Sequence, residues 1–463
     1  MTEKSRRKYR LENFVFYDYA GIQEHLQRMA SRGWMLESIT PFFWRYRRST
    51  PQKVSFAVTY FPEASDFDPG PTENQQLFLD LCAQEGWRLA AQWAQMQILY
   101  THRENPLPLQ TDAGRELRAI HAAMKKNFLP SSFLLLFLSV FQLIIQGSRV
   151  VEKPLETLSE DTVLFVLLLW FIMLLLQLLN LGGYLRWYVA SQKSIEATGQ
   201  LAKSRNLMCK FGKWVLALVL VIVPFWIWDM AVQQKSFLVL YGIALSAGIL
   251  TVLFSVQGLL KRLKAPKEIN QVFTLAAAFL AGIGISIFGG SMMLQQLSSD
   301  DPQVLSVVQP DGGIVEYPIY DDPVLLRLED LQDTPDAYYS RVSEEKTSLL
   351  FRVAWGLQQG MDSQGRKRSE MYYCISETGL PLLRQFCREK ALDLGEYAPQ
   401  GQRWEPYSLP QWELPSLYRL YDGEKPEGYR YAVCWEDRTV ILRMESEPSQ
   451  QQLTDAFTVL GKA

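Results

Sequence analysis

Histidine is the scarcest reactive residue in this chain, with three in 463 residues, and His25, His102 and His121 all fall before residue 122. Everything beyond that point therefore lacks a Ser/His or Cys/His nucleophilic pair and a histidine-based zinc site. Cysteine is also sparse, and five residues are too few for a cystine framework. Cys374, Cys387 and Cys434 lie in the last third, where three thiols allow at most one intramolecular disulfide and buried, inert thiols are the default. No glycine-rich phosphate loop, dinucleotide fingerprint or kinase signature is present, so nucleotide chemistry has no support. The basic start, Lys4, Arg6, Arg7, Lys8 and Arg10, is followed by mixed sequence and not by an apolar core. That pattern predicts a solvated tail and no signal peptide.

Charge is divided unevenly. Residues 1–127 carry 17 basic against 14 acidic residues, 128–294 carry 13 against 7, and 295–463 carry 17 against 28, so a net charge of −2 hides three unlike segments. Five charge-free apolar runs stand in the middle one, at 128–145, 163–185, 214–228, 237–260 and 272–294. About twenty residues at 1.5 Å each cover the hydrocarbon core of a bilayer, which the second, fourth and fifth runs exceed. The first is marginal and begins near Pro130, and the third contains Pro224 and places Asp229 at the interface.

The flanking loops alternate in charge. Arg115, Arg118, Lys125 and Lys126 precede the first run, whereas Glu152, Glu156, Glu160 and Asp161 outnumber the bases after it. Arg186, Lys193, Lys203, Arg205, Lys210 and Lys213 fill the next loop, Lys235 stands alone in the one after, and Lys261, Arg262, Lys264 and Lys267 follow the fourth run. Beyond the fifth no base occurs before Arg327. Basic loops stay in the cytoplasm, so the expectation is a plasma-membrane protein with five spans, its N-terminus cytoplasmic and its C-terminus extracytoplasmic. The expected divisions are 1–112, 113–294 and 295–463.

The runs contain no charge, and Gln142, Gln177, Asn180 and Gln257 are their strongly polar residues. Pumps and ion-coupled transporters need intramembrane ionisable groups or broken helices. Gln177 and Asn180, three apart, are read as interhelical hydrogen-bonding contacts. Gly282, Ser286 and Gly290 repeat every four residues, as do Gly242 and Ser246, a spacing that lets helices approach closely within the bundle or in self-association.

Residues 11–104 repeat a plan. An amphipathic segment with Ile22, Leu26 and Met29 ends in Gly33-Trp34, and a second with Leu77, Leu81 and Cys82 ends 53 residues later in Gly86-Trp87. Each glycine marks a helix end in the left-handed conformation, and each tryptophan starts a strand that folds back on the helix. Strand-like segments at 13–17, 35–39, 42–47, 54–60, 88–93 and 95–102 complete an α+β pattern expected to be ferredoxin-like. In Phe42-Phe43-Trp44-Arg45-Tyr46-Arg47-Arg48, alternation sends Phe42, Trp44 and Tyr46 to a core and Arg45 and Arg47 to water, so no nucleic-acid platform is read there.

With Lys8-Tyr9-Arg10, Phe16-Tyr17-Asp18-Tyr19, Met29-Ala30-Ser31-Arg32-Gly33-Trp34, Phe43-Trp44-Arg45-Tyr46, Gly86-Trp87 and Tyr100, the first 105 residues resemble the domain of unknown function numbered 2812. The resemblance implies a small domain placed ahead of several spans in a protein mainly of Gram-positive bacteria, and it adds no activity.

The acidic C-terminal segment reads as a second α+β domain, with strands at 349–358 and 371–376, a helix at 380–391 and a hairpin from 429–435 to 439–444. Ser449 and Gln452 form a capping box ahead of Leu453, Phe457 and Leu460. No carboxylate pair stands out as a general acid and base. The whole is therefore expected to be a multi-pass α-helical membrane protein with a soluble α+β domain at each end. It is read as non-enzymatic, without cofactor or metal, linking a cytoplasmic interaction domain to an extracytoplasmic sensing or binding domain. Its partners would be the lipid bilayer and an unidentified protein, not nucleic acid. The alternatives are a transporter or permease accessory component using Gln142, Gln177, Asn180 and Gln257, and an exported hydrolase.

Overall fold

The computed structural model describes residues 7–12, 14–40, 43–104, 106, 109, 112–204, 218, 224, 236–298, 303–308, 314–332, 335–394, 401–410 and 412–463. Two compact units divide the chain, one made of Met1–Phe141 with Trp170–Leu294, the other of Gln142–Leu169 with Gln295–Ala463.

The first unit begins with two strand–helix–strand–strand repeats. One comprises β1 (Arg7–Arg10), α1 (Tyr19–Ser31), β2 (Trp34–Ile39) and β3 (Trp44–Arg48); the other comprises β4 (Ser55–Tyr60), α2 (Glu73–Gln84), β5 (Arg88–Trp93) and β6 (Met96–Thr101). Each closes its own three-stranded antiparallel sheet, in the orders β1-β3-β2 and β4-β6-β5. In both, the last strand lies between the first two, which makes each a split βαβ unit. Asp18 caps α1 by accepting from the Gly21 amide, and Thr72 caps α2 by accepting from Gln75.

The first strand is Arg7–Arg10, and of the expected strand 13–17 the described residues 14–17 are not in a strand, so four residues read as solvated tail belong to a sheet edge. Its bases are neutralised locally. Arg7 and Arg45 share the Glu37 carboxylate, Arg10 pairs with Glu12, and the Lys8 ammonium lies 5.3 Å over the Trp34 ring. On β3, Trp44 and Tyr46 are buried and Arg47 is exposed, whereas Phe42 lies outside the described residues.

Helix α1 buries Ile22, Leu26 and Met29 in a core shared with Tyr46, Phe56, Val58 and Ile98. Helix α2 sits in a different rotation from the one its leucines suggest. Leu77 and Leu81 are 61% and 57% exposed, while Gln75 and Cys82 are buried. Under the 53-residue offset that relates Gly33 to Gly86, Ile22, Leu26 and Met29 correspond to Gln75, Leu79 and Cys82. The inward glutamine is tolerated because its amide donates to the Gln92 side chain at 2.9 Å.

Past the repeats, α3 (Ala113–Ala123), a π turn (Met124–Phe128) and α4 (Leu129–Glu152) follow without a break. Pro130 has no N–H to return to the carbonyl of residue 126, which accounts for the widened turn. Leu117, Ile120, Ala123 and Met124 belong to the core of the repeats, so that core runs on beyond residue 112. Next come α5 (Pro154–Leu158), α6 (Asp161–Thr198), α7 (Ser236–Arg262) and α8 (Lys267–Ser298). Among the described residues, Ala113–Glu152, Asp161–Thr198 and Lys267–Phe288 are long and apolar enough to cross a membrane. The run at 237–260 is helical as α7, whereas the run at 214–228 falls outside the described residues except for 218 and 224.

In the second unit an antiparallel sheet of seven strands has the order β12-β13-β14-β15-β11-β10-β9. Those strands are β9 (Tyr338–Thr347), β10 (Arg352–Met361), β11 (Lys367–Glu377), β12 (Gln402–Pro406), β13 (Leu417–Asp422), β14 (Lys425–Cys434) and β15 (Arg438–Met444). A separate ribbon pairs β7 (Gln303–Val308) with β8 (Ile314–Ile319). Alternation along β11 directs Met371, Tyr373 and Ile375 toward α10 (Gln450–Leu460), whose Leu453, Phe457 and Leu460 are fully buried behind a complete Ser449/Gln452 capping box. Cys374, between them in sequence, packs in the other cluster with Cys387 of α9 (Arg384–Ala391).

Both repeat glycines have positive φ, 77° at Gly33 and 83° at Gly86, but their surroundings differ. A Cβ at Gly33 would stand 2.7 Å from the Ser49 carbonyl oxygen, and one at Gly86 would meet the flexible end of Arg103. We expect Gly33→Ala to destabilise the protein by about 1–3 kcal/mol and Gly86→Ala by less. Thermal unfolding of the full chain in detergent tests this, and equal losses would refute the argument from close backbone approach.

Candidate functional site

Within each compact unit, polar and aromatic contacts join the β-rich part to the long helices. In the first unit, Tyr17 stacks on Trp187 with ring centroids 5.1 Å apart and packs on Tyr184 at 5.5 Å. Both partners are on α6, and both are buried members of the core that holds Ile22, Leu26 and Ile120. The Trp187 indole donates to the Ala202 carbonyl at 3.0 Å, and His121 of α3 lies 2.5 Å from the Tyr184 hydroxyl. Helix α6 thus enters the core of the repeats directly.

The loop between β4 and α2 grips three further helices. Lys126 donates to the carbonyls of Pro62 and Glu63, the Gln257 amide of α7 donates to Asp66 O at 2.9 Å, and the Asn270 amide of α8 donates to Phe67 O at 2.9 Å. Thr274 donates to the Asn270 side-chain oxygen and fixes its orientation. The loop is itself held by Gln95, which donates to Ala64 O, and by Asp66, which accepts from the Ala94 amide.

An acidic group lies under this junction. Asp18 is buried, caps α1 and accepts a short hydrogen bond from Ser204. Burial pushes its carboxyl above the ordinary value, outweighing the lowering effect of the Ser204 and Gly21 bonds. Burial likewise raises Glu116 of α3, and the Tyr19 phenol is pushed up to about 12 by burial, then by Glu116 and Asp18.

The second unit holds α5 and the first turn of α6. Leu155 packs in one cluster with Phe351, Val353 and Cys387. Lys346 of β9 reaches Glu160 at 2.9 Å, Glu156 at 3.2 Å and Glu344 at 3.5 Å. Burial alone would lower the Lys346 ammonium, but the bonds to Glu160 and Glu156 hold it above its usual value. Ser348 donates to Leu158 O at 2.6 Å, and the Leu349 amide donates to the Asp161 carboxylate at 3.2 Å. A carboxylate at a helix start is favoured by the peptide dipoles.

The residues singled out from sequence are distributed as follows. Trp34 is half-buried beneath the cations of Lys8 and Arg48, and Trp87 is buried with Cys82 and Leu99. Helices α7 and α8 meet where a Cβ on Gly282 would touch Ile249 and one on Gly248 would crowd Ile285. Ser286 is exposed, and Gly290 lies further along α8. Gln177 is buried, Asn180 and Gln142 are half-buried, and Gln257 is committed to the Asp66 carbonyl. His25 bonds Tyr46 and Glu12, and His102 lies with Gly86, Arg88, Tyr100 and Arg103 around a surface cleft of about 590 Å³. Burial raises the Cys82 thiol to about 11 and Cys387 to about 12, and raises Cys374 and Cys434 as well, which suits inert packing more than nucleophilic work. Among the described residues no group of three His, Cys, Asp or Glu side chains is placed to hold a metal ion.

Residues 18–131 match the family model described as Protein of unknown function (DUF2812). The matched stretch begins at the α1 cap and ends in the first turn of α4, so it includes α3 and the π turn along with most of the repeats. No match to the chain was found among curated proteins or among solved structures.

Sequence reasoning named Tyr17, Asp18 and His121 without giving them a place at a junction, and missed Tyr184, Trp187, Asn270 and Lys346. A signal existed for some of them: Tyr184 and Trp187 sit at the basic end of an apolar run, where aromatic residues gather at an interface. Nothing local marked Lys346 as a junction residue, since Glu156, its partner on α5, is 190 residues away in sequence.

Because the folded state raises the Asp18 pKa, it binds a proton more tightly than the unfolded chain does, and this contribution is lost as pH rises through the carboxylate range. Asp18→Asn keeps a cap and removes the buried charge, so it should be at least as stable as wild type at neutral pH, with the difference vanishing below the ordinary value of 3.8. Asp18→Ala should lose about 1 kcal/mol. Unfolding midpoints against pH decide this, and an Asn variant as weak as the Ala variant would sink it. For the other junction, Lys346→Met should speed amide hydrogen exchange in α5 and leave β11 and β15 unchanged; faster exchange across the whole sheet would contradict a local clamp.

Proposed function

We propose that this is an integral membrane protein whose five spans separate a cytoplasmic interaction domain from an extracytoplasmic sensing or binding domain, and that it relays a state between them without chemistry of its own. The observation that supports this best is helix α6. Its first residue, Asp161, accepts from the Leu349 amide in the turn between two strands of the second unit, and Tyr184 and Trp187 near its other end are core residues of the first unit. A single 38-residue helix is therefore held by folded structure near both ends. A helix of that length is about 57 Å long, ample for a bilayer core with a margin at each side.

The loop charges support the orientation, since Lys and Arg flank the ends of the runs that lead to the N-terminal domain. The split βαβ repeats are compatible with a ferredoxin-like reading of that domain. The transporter alternative is weakened because Gln257, one of the four polar residues it requires, already satisfies a backbone carbonyl. A plasma membrane, an unidentified protein partner and the absence of enzymatic turnover belong to the same proposal.

Reporters fused to either end test it. Alkaline phosphatase, active only outside the cytoplasm, should be active after Ala463 and inactive before Met1, and a cytoplasm-dependent fluorescent protein should show the reverse. Both ends reporting one compartment would overturn the relay.

A further inference from the structure

β-sheet domains keep most large aliphatic side chains inside, and in the second unit Val304, Val459 and Leu325 are exposed at 55%, 42% and 39%. Two leucines stand well above these. Leu382 is 96% exposed and Leu349 is 82% exposed, with Leu380, just before Leu382 in sequence, at 38%. Leu349 is in the turn between β9 and β10, and Leu380 and Leu382 are in the turn between β11 and α9. Thr378 joins the two turns, since its hydroxyl donates to the Leu350 carbonyl at 2.7 Å and accepts from the Leu380 amide at 3.2 Å. No charged residue occurs from Thr378 to Leu383. The result is an apolar prong of two tied loops.

Its place in the fold suggests what covers it. The Leu349 amide is bonded to Asp161, the first residue of α6, and the apolar run of that helix starts two residues later at Val163. At 1.5 Å per residue, Leu349 is therefore within one helical turn of the level at which α6 becomes apolar. Val151, in the last turn of α4, is 80% exposed in the same unit. An exposed apolar patch continuous with the entry point of a membrane helix has a lipid partner at hand.

We infer that Leu349, Leu380 and Leu382 insert into the interfacial layer of the bilayer beside the start of α6, and so fix the height and tilt of the C-terminal domain on the membrane. The inference rests on α6 being a span, and the test separates the two ideas. Single cysteines replace Leu382, Phe171 on an exposed face of α6, and Lys425 at the exposed start of β14, in a chain whose five native cysteines are replaced by alanine. Each carries an environment-sensitive fluorophore in phosphatidylcholine nanodiscs with or without lipid spin-labelled on its acyl chain, near the headgroup end for residues 382 and 425 and near the terminal methyl for residue 171, which lies about 12 Å below the start of the apolar run. Residues 171 and 382 should lose roughly half or more of their emission to the spin label, as expected for interfacial insertion, and residue 425 none. Quenching at 171 with 382 as bright as 425 overturns the prong and leaves the span intact. No quenching at 171 removes the span and the prong with it. A blue-shifted but unquenched label at 382 shows a protein cover and equally overturns lipid insertion. Should the cysteine-free chain fail to fold, photoreactive phosphatidylcholine with the wild-type protein gives the same decision: adducts on residues 378–384 are expected, and adducts confined to α6 refute it.

Discussion

The stack of Tyr17 on Trp187 is the interaction on which the organisation of the first unit depends. A membrane helix satisfies its own backbone hydrogen bonds, so a soluble domain can hold it only through side chains near its ends. Here the hold is aromatic and buried. Tyr17, Tyr184 and Trp187 are as inaccessible as the hydrophobic residues of α1, and truncating a buried aromatic of that size costs about 3–5 kcal/mol. The domain is therefore built onto the helices and not tethered to them by a linker.

The hold in the second unit is of another kind. Lys346 gathers three carboxylates, but each of these pairs is partly solvated, and such pairs contribute only about 0–1 kcal/mol apiece and weaken with salt. Leu155, buried with Phe351 and Val353, contributes the larger share by displacing water from apolar surface. One attachment is thus aromatic and buried, and the other adds partly solvated ion pairs to an apolar contact.

Much of this was legible in the sequence where the signal is local. The left-handed glycines 33 and 86, the Ser449 capping box and the hairpin that brings Cys434 opposite Thr439 follow from short-range backbone chemistry and alternation. Periodicity failed where polar and apolar residues exchange roles. Helix α2 has leucines on its outer face and a glutamine inside, because the Gln75 amide finds Gln92 across the fold, a partner no helical wheel displays. The strand Arg7–Arg10 was hidden by its charge, as four residues with three bases do not resemble a strand until Glu37 and Trp34 are beside them. The role of the junction residues was hidden for the same reason: Gln257 looks like a polar impurity in an apolar run, and Asn270 like a loop residue before the next, until the carbonyls of residues 66 and 67 are placed against them.

The π turn at 124–128 has a consequence for how α3 and α4 can move. A π turn holds one residue more than an α turn, so it advances the helical phase by about 100°, the angle one residue subtends. The stripe of α3 that seats Leu117 and Ile120 in the domain is thereby out of step with the stripe that α4 presents to its surroundings. Sliding the bulge along the rod by one position would rotate everything between the old and new sites while leaving the helix unbroken, so the chain contains a place where twist can be stored and passed along a continuous element.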